Sequence, residues 1–144
     1  MTPFVLLIGL GVHAVFEGIA MGTETDSGKA AIFALAIFLH KGAAGMSLGI
    51  SLAKTFPHRD LFVVSLLVFF STFTPLGIII GMLLKSGDEL IEIIFSCLAA
   101  GTFIYIAGSE IIVEEFSMPD GKCIKFLFYI LGIVIISSLL FIDA

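Results

Sequence analysis

The chain has 144 residues, of which 59% are hydrophobic and only 13% charged, with a mean hydropathy of +1.19 and a formal net charge of -5. An apolar share this far above the roughly 45–50% of soluble domains points to a membrane, and an acidic balance with no basic cluster argues against nucleic acid and against a polybasic membrane-surface patch. Cys97 and Cys123 form neither a disulfide framework nor the Cys-x-x-Cys spacing of a zinc ribbon or redox motif.

Five apolar segments follow one another, over about 2–22, 30–53, 61–84, 90–113 and 124–141, each near the ~20 residues that span a ~30 Å hydrocarbon core as a helix. The expected fold is therefore an all-α membrane protein, a single transmembrane domain over 1–144, because a continuous helix satisfies its own backbone hydrogen bonds in lipid. The alternation of a membrane barrel is missing. The first segment is not read as a signal peptide, since no positive charge precedes Phe4 and Glu17 stands where a cleavage region would be small and neutral. A polar loop, Thr23 to Lys29, leads to the second segment, which ends at Lys54-Thr-Phe-Pro-His-Arg-Asp60. In the third, Pro75 removes a backbone donor and predicts a kink, relieved by Ser71, Thr72 or Thr74. Lys85-Ser-Gly-Asp-Glu89 closes it; the fourth segment carries Glu92 at its start and Glu110, Glu114 and Glu115 at its end, and Pro119-Asp-Gly121 turns the chain into the fifth. Lys54, Arg59, Lys122 and Lys125 on one side against Lys29 and Lys85 on the other predict a cytoplasmic N-terminus, with the Thr23 to Lys29 loop outside.

Ionisable groups within these segments set the functional expectation, because a centrally placed Asp, Lys or Arg costs about 2.5–3.5 kcal/mol to insert. His13 precedes Gly22 by nine residues and His40 follows Gly28 by twelve. On antiparallel helices both lie roughly 14–18 Å below the shared loop, near the midplane. Glu17, four residues after His13, shares its helix face. Two imidazoles and a carboxylate suit a borderline divalent cation, with zinc first and iron or manganese as alternatives. The competing reading of the same residues is structural: hydrogen-bonded packing histidines and a protonated Glu17. The pattern His-x-x-x-x-Gly-x-x-x-Gly occurs twice, as His13, Gly18, Gly22 and as His40, Gly45, Gly49, and predicts two close-packing faces. Repeats of opposite orientation with polar groups at midplane are a recurrent plan in transporters. Met21, Met46 and Met82 are read as packing residues. His-Glu-x-x-His is absent, so an intramembrane metalloprotease, and an enzyme generally, is not expected.

His13-x-x-Phe16-Glu17-Gly18-x-Ala20-x-Gly22, followed by His40-Lys41-Gly42 and Ser47-Leu48-Gly49, resembles the fourth and fifth membrane helices of the ZIP (Zrt/Irt-like) metal transporters, in the branch with His-Lys in the fifth. Ser71-Thr-Phe-Thr-Pro75-Leu-Gly77 with Gly81 resembles the sixth helix, and Ala100 to Tyr105 through Glu110 to Glu114-Glu115 the seventh. The resemblance implies the last five helices of an eight-helix fold, with the three upstream helices absent from this sequence. It implies uptake of a divalent metal, zinc first, towards the cytoplasm, through a site formed by His13, Glu17 and His40. No prosthetic group is implied; the partners are the metal ion, the lipid bilayer, and a second copy or the missing helices. Localisation is integral and multi-pass, in the plasma or an organelle membrane. Helices one to three are expected to move against four and five; Glu110 is read either as helping to pass metal to the inner mouth or as a solvated residue close to the interface. Lys41 and Ala44 stand where other branches place acidic ligands for a second ion, so a single ion is expected, with Lys41 paired to Glu17 or filling the second position. The rival function is a non-transporting membrane subunit or fragment that packs with other helices.

Overall fold

The computed structural model describes residues 3–84, 89–117 and 121–138, and all regular structure among them is helical. In order these are α1 (Pro3–Thr23), α2 (Ser27–Thr55), α3 (Asp60–Ser71), α4 (Phe73–Leu84), α5 (Glu89–Tyr105), a π-helical stretch (Ile106–Ile112), α6 (Val113–Ser117) and α7 (Lys122–Ser138). Among the described residues, four stretches are long and apolar enough to cross a membrane: α1, α2, α3 with α4, and Leu90–Ser109. The chain is an all-α, multi-pass integral membrane protein. The fifth predicted segment falls on α7, 17 residues as described, and its end at 139–141 lies outside the described residues. The same holds for most of the predicted Lys85 to Glu89 and Pro119 to Gly121 turns, and for the side chains of Glu110 and Glu114.

The loop between α1 and α2 is built by its acidic residues. Thr23 Oγ1 donates to Ala20 O at 2.8 Å, closing α1. Glu24 Oε1 accepts from the Thr25 and Asp26 amides at 2.7 and 2.8 Å, and Asp26 Oδ1 accepts from Gly28 and Lys29 at 2.7 and 3.2 Å, capping α2. Those amides hold both carboxyls below their ordinary pKa, that of Asp26 being the largest influence on Glu24 and that of Lys29 the largest on Asp26. The cap starts α2 at Ser27, three residues before the sequence-predicted start.

In the third segment the helix breaks at Thr72 rather than at Pro75. A proline ring clashes with the carbonyl four residues earlier, here that of Ser71, so the disruption lies upstream of the proline itself. Ser71 Oγ donates to Val68 O and Thr72 Oγ1 to Phe69 O, both at 2.7 Å, while the Leu76 amide restarts the ladder on Thr72 O at 3.1 Å. Thr74 is otherwise engaged, as described below.

Everything is arranged around α1. Of its most apolar window 56% is buried, against 17% or less in the other three spans. Its first half packs Leu6, Leu7, Leu10 and Ala14 against Leu48 and Leu52 of α2, Phe70 of α3 and Ile106. Its last turns meet α4 backbone to backbone: a Cβ on Gly18 would lie 2.9 Å from Gly77 Cα, and one on Gly22 equally close to Gly81 Cα. Lipid solvates leucine as well as protein does, so tight van der Waals contact through small residues holds these helices together. The second glycine repeat does not do the same. Among the described residues nothing lies within 4 Å of a Cβ at Gly45, and Gly49 meets only Leu67, at 3.5 Å.

Candidate metal centre

Between the leucine core and the glycine contact, α1 turns His13 and Glu17 inward, both buried. α2 supplies His40 from the opposite side. The result is a set of three potential ligand atoms, one each from His13, Glu17 and His40, within 4.8 Å of one another. His40 Nε2 lies 2.7 Å and His13 Nε2 3.9 Å from Glu17 Oε1. Both Nε2 atoms are buried; that of His40 is in direct contact with the carboxylate, while that of His13 has no hydrogen-bond partner among the described residues. A buried imidazole nitrogen without such a partner carries a desolvation cost that a bound cation removes.

The other face of His13 is fixed by α5. Its Nδ1 lies 3.0 Å from Ala99 O, which places the proton on Nδ1 and the lone pair on Nε2, towards Glu17. Thr102 Oγ1 donates to Leu98 O and Ala99 O at 2.9 Å and lies 3.4 Å from the same Nδ1. Phe103, one turn after Ala99, sets its ring 5.1 Å from the His13 ring and 5.5 Å from that of His40, the two imidazoles being 6.0 Å apart. The three candidate ligands, with Ala99, Phe103, Phe33, Ser96 and Ala100, line a cleft of about 440 Å³. Sequence reasoning placed the three donors but missed Ala99, Thr102 and Phe103. Their signal was the spacing of these positions on one face of α5, which has meaning only once α5 is known to lie against α1.

Lys41 departs from expectation. Its ammonium donates to Thr74 Oγ1 of α4 and sits 4.9 Å from the centroid of the Phe70 ring, instead of forming an ion pair with Glu17. Pairing with Glu17 would turn Lys41 into the face where His40 already stands, since consecutive residues on a helix point about 100° apart. The link joins α2 to α4 on the far side of α1. Among the methionines, Met46 and Met82 are exposed on the outer surface and Met21 is half-buried, none of them beside the donors.

A family model described as ZIP Zinc transporter matches residues 1–140. The chain is 35% identical to Zinc transporter ZIP1 of Danio rerio, covering 96% of this chain and 47% of that protein, and 34% identical to Zinc transporter ZIP1 of Homo sapiens, covering 96% and 44%. Protein zntD of Dictyostelium discoideum is 36% identical over 92% of this chain and 20% of its own length. The chain thus spans about half the length of the ZIP1 relatives it matches. No solved structure matches. With the match running over nearly every residue, donors included, the chain belongs to the ZIP zinc transporter family.

Proposed function

We propose that this chain carries the transport site of a divalent-cation carrier, with zinc as cargo moved towards the cytoplasm and His13, Glu17 and His40 as its ligands. The observation that supports it most is the convergence of both buried Nε2 atoms on one carboxylate, all three ligand atoms within 4.8 Å of one another, with that of His13 lacking a hydrogen-bond partner among the described residues. Two neutral imidazoles and one carboxylate are a moderate donor set for zinc; a fourth position is left for water or cargo exchange, as a carrier that must also release its ion requires. Manganese fits the same donors less well, since it favours oxygen-rich shells, whereas two imidazoles and a carboxylate also suit iron(II).

The packing suggests how the ligands part. α1 and α4 are locked by glycine backbones, so they move as one body, whereas α1 meets α5 and the π-helical stretch after it through side chains: Phe95 beside Phe16, Phe103 beside His13 and Ile106 over Gly9. Side-chain contacts of this kind permit sliding. Movement of α1 along α5 would take His13 off the Ala99 carbonyl and change the donor set without unfolding any helix.

The test is zinc titration of purified wild type and of His13→Ala, Glu17→Ala and His40→Ala, alongside zinc flux into proteoliposomes. Each variant is expected to lose affinity with helix content retained. Unchanged affinity in all three refutes the site, and zinc binding without flux favours a non-transporting membrane subunit.

A further inference from the structure

We infer that Phe103 on α5 is a specificity-determining residue of this site: its ring wedges the two imidazoles and denies polar partners to the waters that a higher-coordinate cation would need. The inference rests on the reading of His13, Glu17 and His40 as metal ligands.

Three distances carry it. The rings of His13, His40 and Phe103 form a triangle with sides of 5.1, 5.5 and 6.0 Å, so Phe103 touches both imidazoles and neither can turn towards α5 without displacing it. The His40 contact is edge-on at 71°, the arrangement aromatic pairs favour. His13 is also pinned through Nδ1 to Ala99 O, one turn before Phe103. One helix that donates no ligand thereby orients one imidazole by a hydrogen bond and both by a ring.

The chemistry follows from coordination number. Zinc accepts four ligands, so three protein donors and one further group complete it. Manganese prefers a six-coordinate, oxygen-rich shell and would bring several waters into the cleft. A buried water needs two to four polar partners. Apart from the ligands themselves the cleft is lined by Phe33, Ala99, Ala100, Phe103 and a single hydroxyl residue, Ser96. Phe103 is the wall whose ring stands beside both imidazoles, and it offers those waters nothing. Because Phe103 is 37% exposed and stands outside the leucine core, its replacement leaves that packing intact.

Zinc and manganese affinities are measured by competition on the purified full chain for wild type, His13→Ala, Phe103→Ala and Phe103→Leu, with helix content and monodispersity as folding controls. Loss of outer-shell support typically weakens metal binding about 10–100-fold. Phe103→Ala is expected to fall in that range for zinc while manganese binding holds or improves, narrowing the zinc-to-manganese ratio by about tenfold or more. Phe103→Leu keeps apolar bulk without the ring edge and is expected to narrow the ratio less; it also carries the test should the alanine variant misfold. An unchanged ratio, or an equal fall for both metals, overturns the role of Phe103 when His13→Ala abolishes zinc binding. Full affinity in His13→Ala would refute the ligand reading itself.

Discussion

Gly18→Ala is the sharpest perturbation of the α1 to α4 contact. The added Cβ would stand 2.9 Å from Gly77 Cα, 3.0 Å from Ile78 N and 2.5 Å from Thr74 O, all backbone atoms that cannot rotate aside. Restoring ordinary contact at 3.4 Å requires the helices to part by about 0.5–0.9 Å locally, which forfeits dispersion along the whole interface. Overpacking of this kind costs about 1–3 kcal/mol, where each ~1.4 kcal/mol is tenfold in an equilibrium. Gly77→Ala meets Gly18 Cα at the same 2.9 Å, so one opening relieves both clashes and the double variant should cost less than the sum of the singles. Gly45→Ala is the control. Nothing lies within 4 Å of its added Cβ, and exchanging glycine for alanine in a helix favours the helix. Unfolding in mixed micelles, followed by circular dichroism against SDS fraction, should place Gly18→Ala and Gly77→Ala well below wild type and Gly45→Ala at or above it. Gly18→Ala as stable as wild type, or Gly45→Ala equally destabilised, would refute the assignment of close packing to the first repeat alone.

Lys41→Asp should raise the metal bound per chain, because a fixed ammonium about 4 Å from a second divalent ion costs on the order of 8 kcal/mol at an effective dielectric near 20; two ions per wild-type chain at saturation would overturn this. Cysteines at Ser27 and Ser117, with Cys97 and Cys123 removed, should label from opposite faces of the membrane, Ser27 outside, since three of the spans lie between them; labelling from one face contradicts the topology. The depressed carboxyl of Asp26 stabilises the first turn of α2 at any pH above the ordinary aspartate range, and that support disappears as pH falls through its lowered folded-state value. Amide exchange at Gly28 and Lys29 should therefore accelerate on acidification in wild type and show no such acid step in Asp26→Asn. A wild-type exchange rate indifferent to acid, after correction for intrinsic exchange, would remove the cap from the account.

What could be read in the sequence was whatever depends on a single helix or on two helices joined by a short loop. Depth follows from residue count along a helix, so His13, Glu17 and His40 could be brought to one level without knowing any packing. The break near Pro75 was legible for the same local reason, and only its position, at Thr72, required knowing which carbonyl the ring displaces. Glycine spacing is a different kind of signal. It says that a backbone can be approached closely, not which backbone approaches, and the two identical repeats have opposite fates: Gly18 and Gly22 receive α4, while the groove of α2 holding Gly45 and Gly49 stays open.

The contribution of α5 was hidden by sequence distance. His13 and Ala99 are 86 residues apart, and a main-chain carbonyl leaves no trace in residue type. Phe103 reads in isolation as one more apolar residue of a membrane helix, among 15 phenylalanines. Lys41 shows the same limit from the other direction. Its charge was visible and demanded a partner, and Glu17 was the acid expected at a similar depth, yet a neutral hydroxyl and an aromatic face on the third segment meet the demand. An ammonium satisfied by Thr74 and Phe70 leaves the Glu17 side chain facing the two imidazoles. Under the proposed ligand reading, the carboxyl thus stays with the imidazoles that would share the ion, while the cation, one residue along α2 from His40, is held apart on Thr74 at the position expected to oppose a second.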